Sequence, residues 1–150
     1  MNINYRKATK KDLKSLYKLA VLFTEFNTRS SGERDKFFYE SWEQDFEDEI
    51  RTDLASADCF YFIAEDENKN TIGYILGRNC PNCKHFLIEE FFVREDFRKS
   101  GVGKRLFELT IVEGKKFTKN IKVEIFNWNE DAKKFYLKHG FKINSTTLEL

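Results

Sequence analysis

Two glycines and three cations stand together between Arg98 and Lys104, in the stretch RKSGVGK. The stretch follows an apolar run and precedes an amphipathic one, so we expect it to join a strand to the start of a helix. Gly101 and Gly103 leave the backbone amides open to a ligand, and amides at a helix start attract anions. The residues therefore predict a phosphate-binding loop, and a glycine-rich surface turn is the alternative.

Two common phosphate-binding motifs do not fit this loop. A Walker loop has a longer spacer before its Gly-Lys pair. A dinucleotide-binding fingerprint needs a third glycine at the position that Leu106 occupies. What remains is the pattern Arg-x-x-Gly-x-Gly, in which consecutive amides and the helix dipole are suited to a pyrophosphate.

A pair of carboxylates, Glu89 and Glu90, interrupts the apolar run HFLIEEFFV. A buried carboxylate must find a partner or change its pKa. Because side chains alternate along a strand, we expect the two glutamates on opposite faces, with at least one in a cleft or the core. A solvated strand face, on which both glutamates pair with lysines, is the alternative.

A third group of residues lies in NWNEDAKKFYLKHGF. Asn129 is a good helix N-cap, and Ala132 and Tyr136 follow on one face of the predicted helix. A small residue and a phenol on one face suit a ligand that lies close to the helix. The alternative is that Tyr136 is an ordinary half-buried aromatic residue.

The motif CPNC places Cys80 and Cys83 just before His85, which suggests a zinc or redox site. A structural zinc site normally has a second pair of ligands at a distance, and the sequence shows no such pair. We therefore favour a tight hairpin turn at Pro81 and Asn82. Cys59 is expected in a core strand.

Composition favours one packed domain over residues 1–150. The chain has a net charge of +1, 16 phenylalanines and a single proline. A near-neutral chain has no strong field to attract nucleic acid or a membrane surface. No signal peptide or membrane span is recognised, so we expect a cytoplasmic protein.

Hydrophobic periodicity predicts an α/β (α+β) protein with a mixed sheet and the order β-α-α-β-β-β-α-β-α-β. Helices are predicted over about 10–28, opened by a capping box of Thr9 and Asp12, then 34–54, from the glycine-rich loop to 117, and 129–139. Gly140 is the expected left-handed stop of the last helix. Strands are predicted at INYRKA, DCFYFIAED, TIGYILGRN, HFLIEEFFV, NIKVEIFNW and FKINSTTLEL.

The succession of IEEFFV, REDFRKSGVGKRLFE and KVEIFNWNEDAKKFYLKHGF resembles the GNAT superfamily of acetyl-CoA-dependent N-acetyltransferases. The resemblance is sharpest over residues 86–143. IEEFFV and WNEDAKKFY are most similar to the diamine (spermidine/spermine) acetyltransferase branch. The resemblance implies a GNAT fold with a mixed, mostly antiparallel central sheet, and a homodimer as one assembly.

The resemblance also implies acetyl-CoA as the co-substrate, with no metal. The backbone of Phe91, Phe92 and Val93 would pair with the pantetheine arm, and the Val93 amide would face the thioester carbonyl. Asn129 would lie near the pantetheine end, and Tyr136 would protonate the departing thiolate. Pyrophosphate would be bound by a loop flanked by Arg98 and made of Lys99, Ser100, Gly101, Val102, Gly103 and Lys104.

An alkylammonium has a pKa of about 10, so only about one amine in a thousand is nucleophilic at neutral pH. A carboxylate must therefore accept a proton, directly or through water. Glu89 is the first choice for this base. Glu90 is expected to bind the substrate ammonium, and an exchange of the two roles stays open.

The sequence therefore predicts an N-acetyltransferase that acts on a small amine, a polyamine or an aminoglycoside-like polycation. A protein acetyltransferase that modifies an N-terminus or a lysine, and a non-catalytic acetyl-CoA-binding regulator, are the alternatives. A cationic acceptor is favoured by the acidic residues of the first two helices, which a solvated helix face would also explain: Glu25, Glu43, Asp45, Glu47, Asp48 and Glu49.

Overall fold

Runs of apolar and β-branched residues form a mixed sheet. The computed structural model describes residues 1–32 and 38–150, and within these ranges the sheet has five strands. They are β1 (Asn4–Lys7), β2 (Cys59–Glu65), β3 (Thr71–Cys80), β4 (His85–Val93) and β5 (Ile121–Val123), side by side in chain order. The first four are antiparallel neighbours, and β5 runs parallel to β4. The predicted class and the mostly antiparallel mixed sheet are confirmed.

Two pairs of helices surround this sheet. The helices are α1 (Leu13–Ser30), α2 (Trp42–Ala55), α3 (Val102–Gly114) and α4 (Glu130–Lys138). One face of the sheet packs against buried residues of α1 and α2, namely Leu16, Leu19, Ala20 and Ile50. A second cluster contains Val102, Leu106 and Phe107 of α3 and Tyr136 of α4, together with Ile75, Ile88 and Val93 of the sheet. We call these two sides the α1/α2 face and the α3/α4 face.

Three predicted helix signals are confirmed. Thr9 and Asp12 form the capping box, in which the Thr9 amide donates to the Asp12 carboxylate at 2.7 Å. A short 3₁₀ turn over Lys10–Asp12 leads into α1. At the other end of the chain, Asn129 caps α4, and Gly140 adopts a φ of +89° just after it.

The second helix begins later than the predicted 34. Residues 34–37 of that prediction lie outside the described part of the chain, and residues 38–41 are not helical. Ser41 has a φ of +69°, a left-handed conformation that does not continue a right-handed helix, so α2 starts at Trp42. The third helix ends at Gly114, earlier than the predicted residue 117.

One strand predicted near the C-terminus is shorter than expected, and the prediction of another is wrong. The strand predicted over 120–128 is limited to Ile121–Val123. The strand predicted over 141–150 is absent, so the described order of elements ends at α4. Its apolar residues have no sheet face to cover, since Ile143 is 68% exposed and Leu148 is 88% exposed. Alternation alone does not make a strand when no neighbouring strand or core receives it.

The CPNC motif forms the turn between β3 and β4, as predicted. In the structure Cys80 and Cys83 are joined by a disulfide across this turn. The Cys83 amide also donates to the Cys80 sulfur at 3.2 Å. Cys59 is a buried free thiol in β2, also as expected.

Leu106 supports the helix that carries the glycine-rich loop. Its side chain is fully buried (0% exposed), whereas Val112 on the same helix is 62% exposed. We predict that Leu106→Ala lowers the free energy of unfolding by about 2–5 kcal/mol, because it removes buried methyl groups and leaves a cavity. Val112→Ala is the control, with an expected change below about 0.5 kcal/mol. Urea unfolding measures both, and equal values would contradict the packing described here.

Candidate active site

An extra residue in β4 sets the geometry of the two predicted carboxylates. Leu76 of β3 pairs with Glu90, but the next residue, Gly77, pairs with Ile88, so Glu89 is a β-bulge. The bulge interrupts the alternation of side chains. Glu89 contacts Arg78 and Glu90 contacts Tyr74, and both contacts lie on the α1/α2 face. The prediction that the two glutamates point to opposite faces is therefore wrong.

Glu90 lies at a small cavity between the sheet and the first two helices. The Tyr74 hydroxyl donates to its Oε2 at 2.6 Å. Burial raises the pKa of Glu90 to about 7, and the Tyr74 hydrogen bond opposes that rise. The cavity has a volume of about 50 Å³ and is lined by Ala20, Phe23, Thr24, Phe46, Glu49, Ile50, Tyr61 and Glu90. A carboxylate with this pKa is able to gain and lose a proton near neutral pH.

Glu89 is held in an ion pair with Arg78. The Arg78 Nε lies 2.7 Å from Glu89 Oε1, and Nη2 lies 3.0 Å from Oε2. Both carboxylate oxygens therefore accept hydrogen bonds from one guanidinium. Glu89 is also exposed, in contrast to the half-buried Glu90. The structure thus brings both predicted glutamates to one face but gives them different surroundings.

The second half of β4 has an open backbone edge. β5 pairs with β4 only at Phe86, Leu87 and Ile88, and the chain leaves the sheet after Val123. On the other side, the Arg94 amide donates to the Ile72 carbonyl at 2.9 Å. Because hydrogen-bond directions alternate in an antiparallel pair, the N–H and C=O groups of Phe91 and Val93 point away from β3. They face the gap that β5 leaves.

The three predicted residues at this edge are not equivalent. The same alternation directs the backbone of Phe92 towards β3 rather than the gap. Its side chain is buried on the α1/α2 face, where its ring centre lies 5.6 Å from that of Phe23. The gap is therefore lined by backbone groups of Phe91 and Val93, and Phe92 contributes to the packing behind them.

Arg98 ties the end of β4 to α1. Its Nε donates to the Val93 carbonyl at 2.8 Å. Its guanidinium carbon lies 4.8 Å from the centre of the Phe26 ring and 5.5 Å from that of Phe92, within the range of cation–π interactions. With the Val93 carbonyl occupied by Arg98, the Val93 amide is left as the donor that this residue presents to the gap.

The loop from Lys99 to Gly101 curls its backbone before α3 begins. Lys99 and Gly101 both lie in the left-handed region, with φ of +60° and +89°. Gly101 is the N-cap of α3 and makes no side-chain cap. The first intrahelical bond runs from the Arg105 amide to the Gly101 carbonyl at 3.1 Å. Since the first amides of a helix have no intrahelical acceptor, those of Val102, Gly103 and Lys104 are available to an anion.

Glycine occurs at the two positions of this loop for different structural reasons. A Cβ added to Gly101 would meet no atom within 4 Å, so the space beside this glycine is open. A Cβ added to Gly103 would lie 3.3 Å from the Phe91 ring, so this glycine allows α3 to pack closely on β4. Ser100 supports the turn through a hydrogen bond from its hydroxyl to the Phe97 carbonyl.

Helix α4 brings Tyr136 into the α3/α4 cluster that also contains Val93. The Asn129 side chain accepts from the Ala132 amide at 3.1 Å and so fixes the start of the helix. Tyr136 is 5% exposed, with its ring 6.0 Å from that of Phe107. Burial raises the pKa of Tyr136 above its ordinary value, so the hydroxyl keeps its proton over the physiological pH range.

The sequence alone did not predict the contacts of three residues in this site. Tyr74 and Arg78 lie on β3, four residues apart, and each reaches one of the glutamates. Glu49 was recognised only as part of an acidic helix face, yet it lines the cavity at Glu90. An even spacing along β3 does place Tyr74 and Arg78 on one face, but the bulge that brings both glutamates to them has no sequence signal.

The described residues offer no metal site. Across residues 1–32 and 38–150, no group of three or more His, Cys, Asp or Glu side chains is arranged to bind a metal ion. Nor does any helix in these ranges combine the length and apolar character that crossing a membrane requires.

Comparison with known proteins identifies the family. The model of the acetyltransferase (GNAT) family matches residues 27–141, which is most of the chain. The chain therefore belongs to the acetyltransferase (GNAT) family, and the predicted enzyme class, an acyltransferase, is confirmed. The family assignment also agrees with the predicted co-substrate, acetyl-CoA.

A curated relative from Lactobacillus delbrueckii subsp. lactis is described as an uncharacterized N-acetyltransferase in the pepI 3′ region, and it is 35% identical over 54 residues. The match covers 35% of this chain and only 31% of the relative's length.

Solved structures share the fold across nearly the whole chain. The tetramutant of BH1408 protein from Bacillus halodurans has a TM-score of 0.81 at 23% identity, covering 100% of this chain and 99% of that one. PaiA N-acetyltransferase from Thermoplasma acidophilum, solved with coenzyme A, has a TM-score of 0.81 at 20% identity, with 98% and 94% covered. Aminoglycoside N-acetyltransferase AAC(6′)-Iy, also with CoA, has a TM-score of 0.79 at 16% identity, with 99% and 93% covered.

The Tyr74 hydrogen bond stabilises the ionised form of Glu90. We therefore predict that Tyr74→Phe raises the pKa of Glu90 above about 7, since a hydrogen bond to the charged form lowers a pKa. Carboxyl ¹³C NMR of the titrating protein measures the shift. Tyr61→Phe is the control, because it removes a nearby hydroxyl for which the described structure gives no hydrogen bond to Glu90. An unchanged Glu90 titration in Tyr74→Phe would contradict the assigned contact.

Proposed function

We propose that the protein is an N-acetyltransferase that moves the acetyl group of acetyl-CoA to a primary amine by direct attack. The amine nitrogen bonds to the thioester carbon, the carbon–sulfur bond breaks, and the sulfur gains a proton. The observation that carries the proposal is the open edge of β4. It presents Phe91 and Val93 backbone groups to a gap, with a helix start at one end and Glu90 on the adjoining face.

Residues on the donor side of the site bind coenzyme A. The Phe91 and Val93 backbone groups match the amides of a pantetheine arm, which would extend the sheet as a further strand does. The amides of Val102, Gly103 and Lys104 and the open space at Gly101 suit the pyrophosphate. Lys99, Ser100 and Lys104 of this loop are exposed, and we propose that Asn129 at the start of α4 contacts the pantetheine end.

We assign the role of general base to Glu90 and not to Glu89. Both carboxylate oxygens of Glu89 are engaged by the Arg78 guanidinium. Glu90 lines a cavity, and its pKa of about 7 is matched to a base that works at neutral pH. Glu90 therefore takes the role of base that the sequence first suggested for Glu89, and Glu89 is not assigned the substrate ammonium.

Two further groups act on the thioester. The Val93 amide faces the gap and is suited to stabilise the oxyanion that forms when the amine attacks. Arg98 binds the Val93 carbonyl at 2.8 Å, which leaves the amide as the group that Val93 offers to the thioester. The protonated Tyr136 hydroxyl is our candidate to supply a hydrogen bond or proton to the departing sulfur.

The acceptor is a small cationic amine, with a polyamine of the diamine type as the first candidate. The cavity at Glu90 has a second carboxylate, Glu49, and aromatic walls formed by Phe23, Phe46 and Tyr61, which suit an alkylammonium. The test is a screen of acetyl-CoA consumption with polyamines, aminoglycosides and basic peptides. Turnover of peptides alone would favour a protein acetyltransferase, and binding without turnover would favour a regulator. Cytoplasmic location and a homodimer stay predictions from the sequence.

Exchange of each glutamate for glutamine separates the two roles. We predict that Glu90→Gln lowers kcat/KM by about 10²- to 10⁴-fold and removes its acidic limb, which in the parent protein falls as the pH drops below about 7. Glu89→Gln is expected to lose less than about tenfold and to retain that limb. The measurement is a pH–rate profile of each variant with the acceptor found in the screen. Loss of the limb in Glu89→Gln alone would return the base to Glu89.

Substitution of Gly101 tests the donor site. Gly101 and Gly140 share a φ of +89°, and a Cβ on either would meet no atom within 4 Å. Alanine at each position therefore carries a similar backbone strain. We predict that Gly101→Ala weakens acetyl-CoA binding at least tenfold, because the methyl group enters the phosphate space, and that Gly140→Ala leaves the affinity within about twofold. Calorimetry measures both, and equal affinities would reject the loop as the pyrophosphate site.

A further inference from the structure

We propose that Arg78 is a positioning residue of this active site: it binds the bulged Glu89 and thereby keeps Glu90 as the carboxylate that accepts the proton. The proposal rests on the proposed function, since it concerns the same reaction. Arg78 itself does not touch the reacting atoms. It acts on them through the conformation of β4 and through its charge.

The guanidinium of Arg78 joins three elements of the fold. Nε and Nη2 bind both oxygens of Glu89 on β4. Nη2 also lies 3.1 and 3.0 Å from the two oxygens of Asp53 on α2. Nη1 lies 2.8 Å from the sulfur of Cys59 on β2. A planar guanidinium is suited to hold such a set of acceptors in a fixed arrangement, as a lysine ammonium is not.

This arrangement stabilises the bulge. A bulged residue is extra to the ladder, so its conformation depends on what its side chain contacts. Arg78 draws Glu89 to the α1/α2 face and links it to Asp53, which is only 5% exposed. Because β4 continues without a break, the position of Glu89 fixes that of Glu90. Arg78 also connects β4 to α2, the helix that carries Glu49.

Arg78 is also a cation paired with two of the charged groups that surround Glu90. Helix α1 contributes Ala20, Phe23 and Thr24 to the cavity, none of which titrates. The titratable neighbours come from the other elements packed there: Glu49 and Asp53 of α2, Tyr61 of β2, Tyr74 of β3 and Glu89 of β4. Three of these are carboxylates, and each opposes ionisation of Glu90. Arg78 offsets two of them through its ion pairs.

A charge cycle between Arg78 and Glu89 tests the proposal. In Arg78→Gln we expect the Glu90 titration to move up by about one pH unit, because Glu89 and Asp53 are left without their cation. In Glu89→Gln we expect a downward shift, because one opposing carboxylate is removed. The double variant is expected to return close to the parent value. Arg78→Lys, which keeps the charge, is expected to reverse most of the upward shift.

Two readouts are used, so that failure of this proposal differs from failure of the proposed function. Carboxyl ¹³C NMR of Glu90 in the free protein needs no acceptor, and the acidic limb of kcat/KM reports the same group in turnover. Opposite shifts in the two single variants support the proposal. If Glu90→Gln is inactive but neither single variant moves the Glu90 titration, the base stands and the role of Arg78 is overturned. If Glu90→Gln is fully active, the proposed base fails instead.

Arg51→Gln is the matched control. Arg51 carries the same charge on α2, but it pairs with Glu47 at 2.6 Å and Asp48 at 2.8 Å on the exposed side of the helix. We expect this variant to leave the Glu90 titration unchanged. An equal shift in Arg51→Gln and Arg78→Gln would mean that net charge, and not position, is responsible. Should Arg78→Gln not fold, the downward shift of the Glu89→Gln variant decides the question, and its absence overturns the proposal.

Discussion

The bulge at Glu89 is the feature on which the geometry of this site depends. A regular β4 would send Glu89 and Glu90 to opposite faces, and one of them would enter the α3/α4 core without a partner. With one extra residue, both carboxylates face α1 and α2, where Tyr74 and Arg78 receive them. Phe91 and Val93 then return to the α3/α4 face. β4 therefore presents its two carboxylates to the α1/α2 face and the apolar side chains of Phe91 and Val93 to the α3/α4 face.

Much of this fold was predictable, because helices and strands follow from local periodicity. The helical stripe of α1, the capping box at Thr9 and the left-handed stop at Gly140 are all short-range signals, and all three are confirmed. The strand predicted over 141–150 failed for the opposite reason. Its residues alternate, but a strand forms only where another strand or a core face receives it. That information lies outside the segment.

Within the site, the reliable predictions were those tied to backbone geometry. Two glycines before an amphipathic run indicated a helix start with open amides, and Gly101 does lie in the left-handed region there. The side-chain contacts were harder, because they join residues from separate strands and helices. The pairing of Arg78 with Glu89 spans 11 residues and that with Asp53 spans 25. A single sequence does not specify which of many possible charge pairs forms.

Spacing along β4 also limits how the proposed base reaches its proton. Val93 lies three residues beyond Glu90, and a strand rises about 3.3 Å per residue, so their backbones are separated by roughly 10 Å. An amine that attacks a carbonyl held at the Val93 amide lies close to Val93. The Glu90 side chain covers only part of the distance between Glu90 and that amine. In the proposed mechanism, the proton therefore passes from the amine to Glu90 through at least one water molecule, and the cavity between α1, α2 and the sheet is where such a water would lie.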